Sequence, residues 1–246
     1  MTNYHLTIAH LYPEQMNIYG DRGNIISLRQ RCAWRGIQTT LLPVGPGTNV
    51  DWGAVDLAFF GGGQDSGQAL IAADFVDRQA APLSRAAEDG MVLLAICGGY
   101  QLLGHYFLTH AGEKLPGIGL LDIHTVGGTQ RLIGNIVVEA GWGGRRQTLV
   151  GFENHSGGTY LGAGAQPLGR VLTGHGNNGK DGSEGAVWRN VTGCYMHGSL
   201  LPKNPHFADH LLTLALQRRY GSGATLAPLE DALELQAHTA MIDRLT

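Results

Sequence analysis

The segment Leu93-Leu94-Ala95-Ile96-Cys97-Gly98-Gly99-Tyr100-Gln101-Leu102-Leu103-Gly104 puts a thiol where chemistry can be done. An apolar run stops at Cys97, two glycines follow, and a helical segment begins. That pattern sets the thiol on a tight strand-to-helix turn, the kind of elbow that holds a nucleophile exposed. Unpaired N–H groups and the helix dipole stabilise negative charge at a helix N-terminus, which favours the thiolate. The implied chemistry is attack of sulfur on an electrophilic carbon, through a covalent intermediate.

A thiol nucleophile needs a base and an oxyanion site. Imidazole can take the proton near neutral pH, and eleven histidines are present. His197 ends the short apolar run Gly193-Cys194-Tyr195-Met196 and precedes Gly198, where a rigid element delivers a side chain to a cleft mouth. His155, in Phe152-Glu153-Asn154-His155-Ser156-Gly157, is the rival. The scattered His5, His110, His206 and His210 read as solvated or core histidines. For the oxyanion, the Gly98 amide follows the nucleophile, and Gly61-Gly62-Gly63-Gln64-Asp65 ends a neighbouring strand. Glycines there let the backbone approach a substrate closely. A phosphate loop is the competing reading, but no Gly-Lys-Ser/Thr follows. Cys32, on an apolar helix face, and Cys194, within a short strand, read as core thiols.

These residues must be carried by a scaffold, and the rest of the chain predicts one. Apolar runs at 6–11, 39–44, 55–60 and 91–96 read as strands. They alternate with helical segments at 24–34, with Ile25, Ile26, Leu28 and Cys32 as its inner face, at 74–88, kinked at Pro82, and at 99–108. Such alternation predicts a parallel sheet flanked by helices. From about Gly117 the texture changes to short runs at 133–138, 149–152, 170–172, 185–188 and 193–196, separated by glycine-rich turns. That predicts antiparallel pieces in a β-rich second half of the same domain. Helices follow at 204–220, with Pro205 in its first turn, and at 227–237. No repeat or linker divides the 246 residues, so one domain over 1–246 is expected.

Composition bounds the function. At 43% hydrophobic and 15% charged residues the chain is globular rather than disordered. A net charge of −3 gives no case for nucleic acid. No run of about 18 apolar residues spans a membrane, and Met1-Thr2-Asn3-Tyr4-His5 does not start a secretory leader, so a cytoplasmic location is expected. Three cysteines without a Cys-x-x-Cys pair argue against a disulfide framework and a structural zinc.

Ala95-Ile96-Cys97-Gly98-Gly99-Tyr100-Gln101 and Gly193-Cys194-Tyr195-Met196-His197-Gly198 resemble the nucleophile and histidine motifs of class I glutamine amidotransferases. The cobyric acid synthase-like (CobB/CobQ) branch fits best, with Gly61-Gly62-Gly63-Gln64-Asp65 as its first loop. Leu11 to Asn24, including Tyr19-Gly20-Asp21-Arg22-Gly23-Asn24, narrows the likeness, as do Gly151-Phe152-Glu153-Asn154-His155 and Gly176-Asn177-Asn178-Gly179. They are similar to the glutaminase subunits of lipid II isoglutaminyl synthase. The likeness runs roughly from Ile8 to Tyr220.

The resemblance implies the α/β fold of class I glutamine amidotransferases: three layers, a mostly parallel central sheet flanked by helices, and an added antiparallel part. It implies that Cys97 attacks the side-chain amide of glutamine, that His197 moves the proton, and that the backbone at Gly63 and Gly98 holds the oxyanion. Arg131, Gln101 and Gln64 match substrate-holding positions, with the Arg131 guanidinium suited to the α-carboxylate. No cofactor or metal is expected in this chain. ATP and magnesium would sit on a MurT-like, Mur-ligase-family partner in a heterodimer, which would use the ammonia to amidate D-glutamate on lipid II. Many relatives carry glutamate two residues after the histidine, where this chain has Ser199. Either the site is a Cys–His dyad, or another carboxylate orients His197; the resemblance points to one from the partner. A glutaminase serving another acceptor, such as a corrinoid, and a non-catalytic scaffold subunit are the alternatives.

Overall fold

The computed structural model describes residues 4–18 and 20–245. Met1–Asn3, read for a leader, and Tyr19 of the N-terminal motif lie outside the described residues. The first half alternates as its apolar runs predict: β1 (His5–Leu11), α1 (Arg22–Trp34), β2 (Gln38–Val44), β3 (Leu57–Phe60), α2 (Asp65–Asp74), α3 (Ala80–Glu88), β4 (Val92–Ile96) and α4 (Gly98–Leu103). There follow β5 (Tyr106–Leu108), β6 (Lys114–Pro116), β7 (Ile123–Trp142), β8 (Arg145–Leu161), β9 (Gly169–Thr173), β10 (Ser183–Glu184), β11 (Ala186–Trp188) and β12 (Val191–Cys194). Two helices close the chain, α5 (Pro205–Tyr220) and α6 (Ala232–Asp243).

One six-stranded sheet has the order β11-β12-β4-β3-β1-β2, parallel throughout except for β11. β3 and β4 are buried at every position, because central parallel strands are covered on both faces and demand unbroken apolar runs. Each buried Leu, Ile or Phe there contributes about 1.5–3 kcal/mol by leaving water. The register aligns the strand ends: Leu11 lies beside Phe60, Phe60 beside Ala95, and Ile96 beside Cys194. The segments that leave β1, β3, β4 and β12 therefore converge at one carboxyl edge, where open α/β sheets place ligands.

The second sheet departs from the expected short strands. β7 and β8, 20 and 17 residues long, form one antiparallel hairpin, with β9, β10, β5 and β6 in the same sheet. Its glycines interrupt the apolar pattern without breaking the ladder, since a glycine costs a strand packing rather than hydrogen bonds. The register shifts once, between Gly127 and Leu132.

Three helices also differ from expectation. The helix after β3 starts earlier, at Asp65, and runs through a π-turn at Phe75–Gln79 into α3. Pro82 cannot donate to the carbonyl four residues back, and the wider turn before it absorbs the defect. α4 stops at Leu103, and 106–108 is a strand instead of helix. The last helix lies at 232–243 rather than 227–237. Within α1, Asn24, Ile25, Leu28, Arg31 and Cys32 face inward, whereas Ile26 points out.

Arg31 is the largest fully buried side chain. Its guanidinium grips Asp209 of α5 at 2.7 and 2.8 Å and Asp231, just before α6, at 2.6 and 2.8 Å. Two paired carboxylates satisfy the fork geometry that a buried arginine requires.

Candidate active site

Cys97 ends β4 with φ 49° and ψ −105°, a left-handed conformation that costs a non-glycine residue about 1–3 kcal/mol. Such strain persists because the flanking core over-determines it: Ile96 and Tyr100 are fully buried. The Gly98 amide opens α4, where helical geometry offers it no intrahelical acceptor. A Cβ on Gly98 would lie 3.0 Å from the Gly63 amide nitrogen. The two amides thus share one corner beside the thiol.

His197 follows β12 and is fully buried. Its backbone is held by Phe152 of β8, with the His197 amide donating to the Phe152 carbonyl at 2.7 Å. The imidazole Nδ1 stands 3.2 Å from Asp21 Oδ1, both side chains having no exposure, and ring and thiol flank Gly62 together, since a Cβ on that glycine would lie 2.5 Å from His197 Cε1 and 3.3 Å from Cys97 Cβ. Burial disfavours the imidazolium, but the Cys97 sulfur and the Asp21 carboxylate outweigh it and push the His197 pKa from 6.5 up to about 10. Cys97, His197 and Asp21 form a line of thiol, imidazole and carboxylate, the arrangement that activates a nucleophile.

Asp21 was not foreseen as part of the site. It lies 176 residues from His197 in the chain. Its second oxygen accepts from the Gly62 amide at 2.7 Å. The carboxylate that orients the histidine thus comes from the loop after β1, and Nδ1 is already served within this chain. That places a local residue where a partner's carboxylate was expected. Ser199, two residues past the histidine, donates to the Gly20 carbonyl at 2.6 Å.

A cleft of about 390 Å3 opens in front of the thiol, lined among others by Gly63, Gln64, Gln68, Cys97, Gln101, Arg131 and Asn154. Gln101 is buried, its amide donating to the Tyr195 hydroxyl at 3.1 Å while its carbonyl accepts from Gln68 at 3.0 Å. Tyr195 is held in turn by Thr159 at 2.6 Å. Gln64 stands exposed at the start of α2. Arg131 sits in the irregular stretch of β7 and is tied to Asn154 of β8; such bulges re-aim a side chain. Gln68, Asn154 and Tyr195 were missed by sequence reasoning. The rival His155 lines the cleft too, but its ring is stacked on Tyr195 with centroids 3.6 Å apart and its Nδ1 donates to the Gly157 carbonyl at 2.7 Å. The structure pairs Cys97 with His197. Cys32 and Cys194 are buried core thiols.

Glu153 and Asn177, from the two later motifs, act behind the cleft. Glu153 accepts from the amides of His175 and Gly176 at 2.7 and 2.9 Å. Asn177 receives the Tyr100 hydroxyl at 3.1 Å. Among the described residues no group of three His, Cys, Asp or Glu side chains is placed to hold a metal ion, and no helix is long and apolar enough to cross a membrane.

The model of the CobB/CobQ-like glutamine amidotransferase domain matches residues 7–205. The chain is 42% identical to the lipid II isoglutaminyl synthase (glutamine-hydrolyzing) subunit GatD of Staphylococcus aureus, over 98% of this chain and 96% of that one. It is 41% identical to the Streptococcus pneumoniae subunit of that name, over 94% and 88%. A cobyric acid synthase of Pelotomaculum thermopropionicum is 35% identical over 60% of this chain but only 30% of its own length. Among solved structures, a glutamine amidotransferase shares the fold with a TM-score of 0.53 at 16% identity, over 84% of this chain and 98% of that one. Nucleophile elbow, paired histidine and family match together place this chain in the CobB/CobQ-like glutamine amidotransferase family.

Proposed function

We propose that this chain is the glutaminase subunit of a lipid II-amidating enzyme. Glutamine enters the cleft with its α-carboxylate against Arg131 and its carboxamide against Cys97, with Gln64 and Gln101 beside it. The thiolate attacks the carboxamide carbon, and the Gly63 and Gly98 amides hold the resulting oxyanion. The His197 imidazolium, oriented by Asp21, gives its proton to the leaving ammonia. Neutral His197 then takes a proton from water, which cleaves the thioester and releases glutamate. The whole chain, 1–246, acts as one glutaminase domain in the cytoplasm and needs no cofactor of its own.

Ammonia then serves a MurT-like, Mur-ligase-family partner, which holds ATP and magnesium, activates the D-glutamate α-carboxyl of lipid II, and makes D-isoglutamine. The observation that carries the reading is Cys97 at the cleft with the buried His197 ring beside it across Gly62. The near full-length likeness to GatD subunits favours this acceptor over a corrinoid, since cobyric acid synthases match over a small part of their length. The test is co-expression with the candidate ligase, followed by assays of glutamate release and lipid II amidation. Glutamate release without amidation would move the acceptor elsewhere; no release would sink the glutaminase reading.

A further inference from the structure

We infer that Asp21 couples the base to the oxyanion site, one carboxylate oxygen aligning His197 and the other fixing the loop that presents the Gly63 amide. The inference rests on the glutaminase reading. Three observations carry it. Oδ1 stands 3.2 Å from His197 Nδ1. Oδ2 accepts from the Gly62 amide at 2.7 Å, a short, charge-assisted bond. Gly62 itself leaves no slack: a Cβ there would fall 2.5 Å from His197 Cε1, 3.1 Å from Asp21 Oδ2 and 3.3 Å from Cys97 Cβ.

The peptide plane of Gly62 is thus wedged between base, carboxylate and nucleophile. Its carbonyl is held as well, accepting from the Ile18 amide at 3.2 Å. The next amide in the chain is that of Gly63, beside Gly98. Asp21 fixes the peptide plane before Gly62 and the Ile18 amide fixes the plane after it, which carries the Gly63 N–H, so the angle at which the Gly63 amide faces the cleft depends on the Asp21 anchor. Asp21 is itself anchored on both sides. The Gly20 carbonyl receives Ser199 Oγ, and the Asn24 side chain receives the Leu201 amide at 2.9 Å. Both stitches join the Asp21 loop to the segment that follows His197. Base and oxyanion loop consequently move as one body, with Asp21 as the shared positioning residue.

Two variants of the full chain, assayed with its candidate ligase, separate the two jobs. In Asp21→Asn the amide oxygen can still accept from Gly62, while its NH2 faces Nδ1 and imposes the wrong imidazole tautomer. Asp21→Ala removes both contacts. Alkylation of Cys97 by iodoacetamide reads the nucleophile and base alone, since displacement of iodide forms no oxyanion. Both variants should be alkylated about 10-fold or more slowly than the wild type, and equally so. Glutamine turnover should separate them, Asp21→Ala falling roughly a further 10²-fold through loss of the oxyanion donor, chiefly in kcat.

Equal turnover in the two variants would overturn the second job; alkylation at the wild-type rate would overturn the first. Should Asp21→Ala fail to fold, Asp21→Ser serves in its place, its hydroxyl being too short to span both partners. A wild-type chain that is alkylated but releases no glutamate would refute the glutaminase reading while leaving the alignment of His197 testable by alkylation.

Discussion

Ser199 Oγ donates to the Gly20 carbonyl at 2.6 Å, so the residue two past His197 braces the loop whose Asp21 faces that histidine. The carboxylate against His197 comes from the loop after β1, and the small Ser199 hydroxyl packs against that loop. Gly23 shows how tight that place is, since a Cβ on it would lie 2.1 Å from Ser199 Oγ.

That fit predicts a paired effect. Gly23→Ala should destabilise the chain, and adding Ser199→Gly should recover most of the loss, because the second change removes the colliding atoms and suits the positive φ of 51°. Ser199→Gly alone should cost about 0.5–1.5 kcal/mol through the lost hydrogen bond to Gly20. Thermal denaturation of the four proteins measures the coupling; additive losses would contradict the packing described.

Cys97→Ala should abolish glutamate release by the complex, a loss on the order of 10⁴ or more, since no other group can form the thioester. His197→Ala should fall comparably, because the two act as a unit. His155→Ala should fall far less, its ring being committed to Tyr195 and Gly157. Glutamate assays on the three variants decide between the histidines.

The protonation of His197 predicts a pH effect with a definite sign. Its folded pKa is raised, from 6.5 to about 10. Stability from the charged ring is therefore fully present below about pH 6.5 and declines as pH rises through about 10. Cys97→Ala removes the largest raising influence, so His197 should titrate lower in that variant. NMR titration of the imidazole would show this; an unchanged midpoint would mean that the sulfur does not hold the proton on the ring.

Arg131→Ala should raise KM for glutamine about 10- to 100-fold with little change in kcat, the loss of one charge-assisted contact to an α-carboxylate. Arg131→Lys should recover part of it, lacking the fork. A fall in kcat with KM unchanged would place Arg131 at the reacting carbon instead of the far end of the substrate.

Cys97 and His197 were legible because their signals are local: a strand end, a glycine, and the start of the next segment. Asp21 was not, although it follows Gly20 directly before α1. Its meaning arises only when β1, β3, β4 and β12 lie in adjacent order and bring four strand ends to one edge. The parallel sheet was readable from alternating apolar runs. The long hairpin was not, because Gly127, Gly128, Gly134 and Gly141 punctuate β7 without ending it. Arg131 came from the family likeness alone; its setting, an irregular stretch of that strand, depends on pairing with β8.

The shared family stretch ends at residue 205, yet both acids that neutralise Arg31 lie beyond it, at Asp209 and Asp231. Arg31 belongs to α1, the helix that begins directly after Asp21. The tail of this protein is therefore a foundation for its front end. A shortened version cut at the family boundary would lose both counter-charges of Arg31 together with the α5 helix packed on α1, and would loosen the helix behind the reactive centre. Any chimera that grafts this glutaminase onto another ligase must carry along the stretch beyond residue 205, through Asp231 at least.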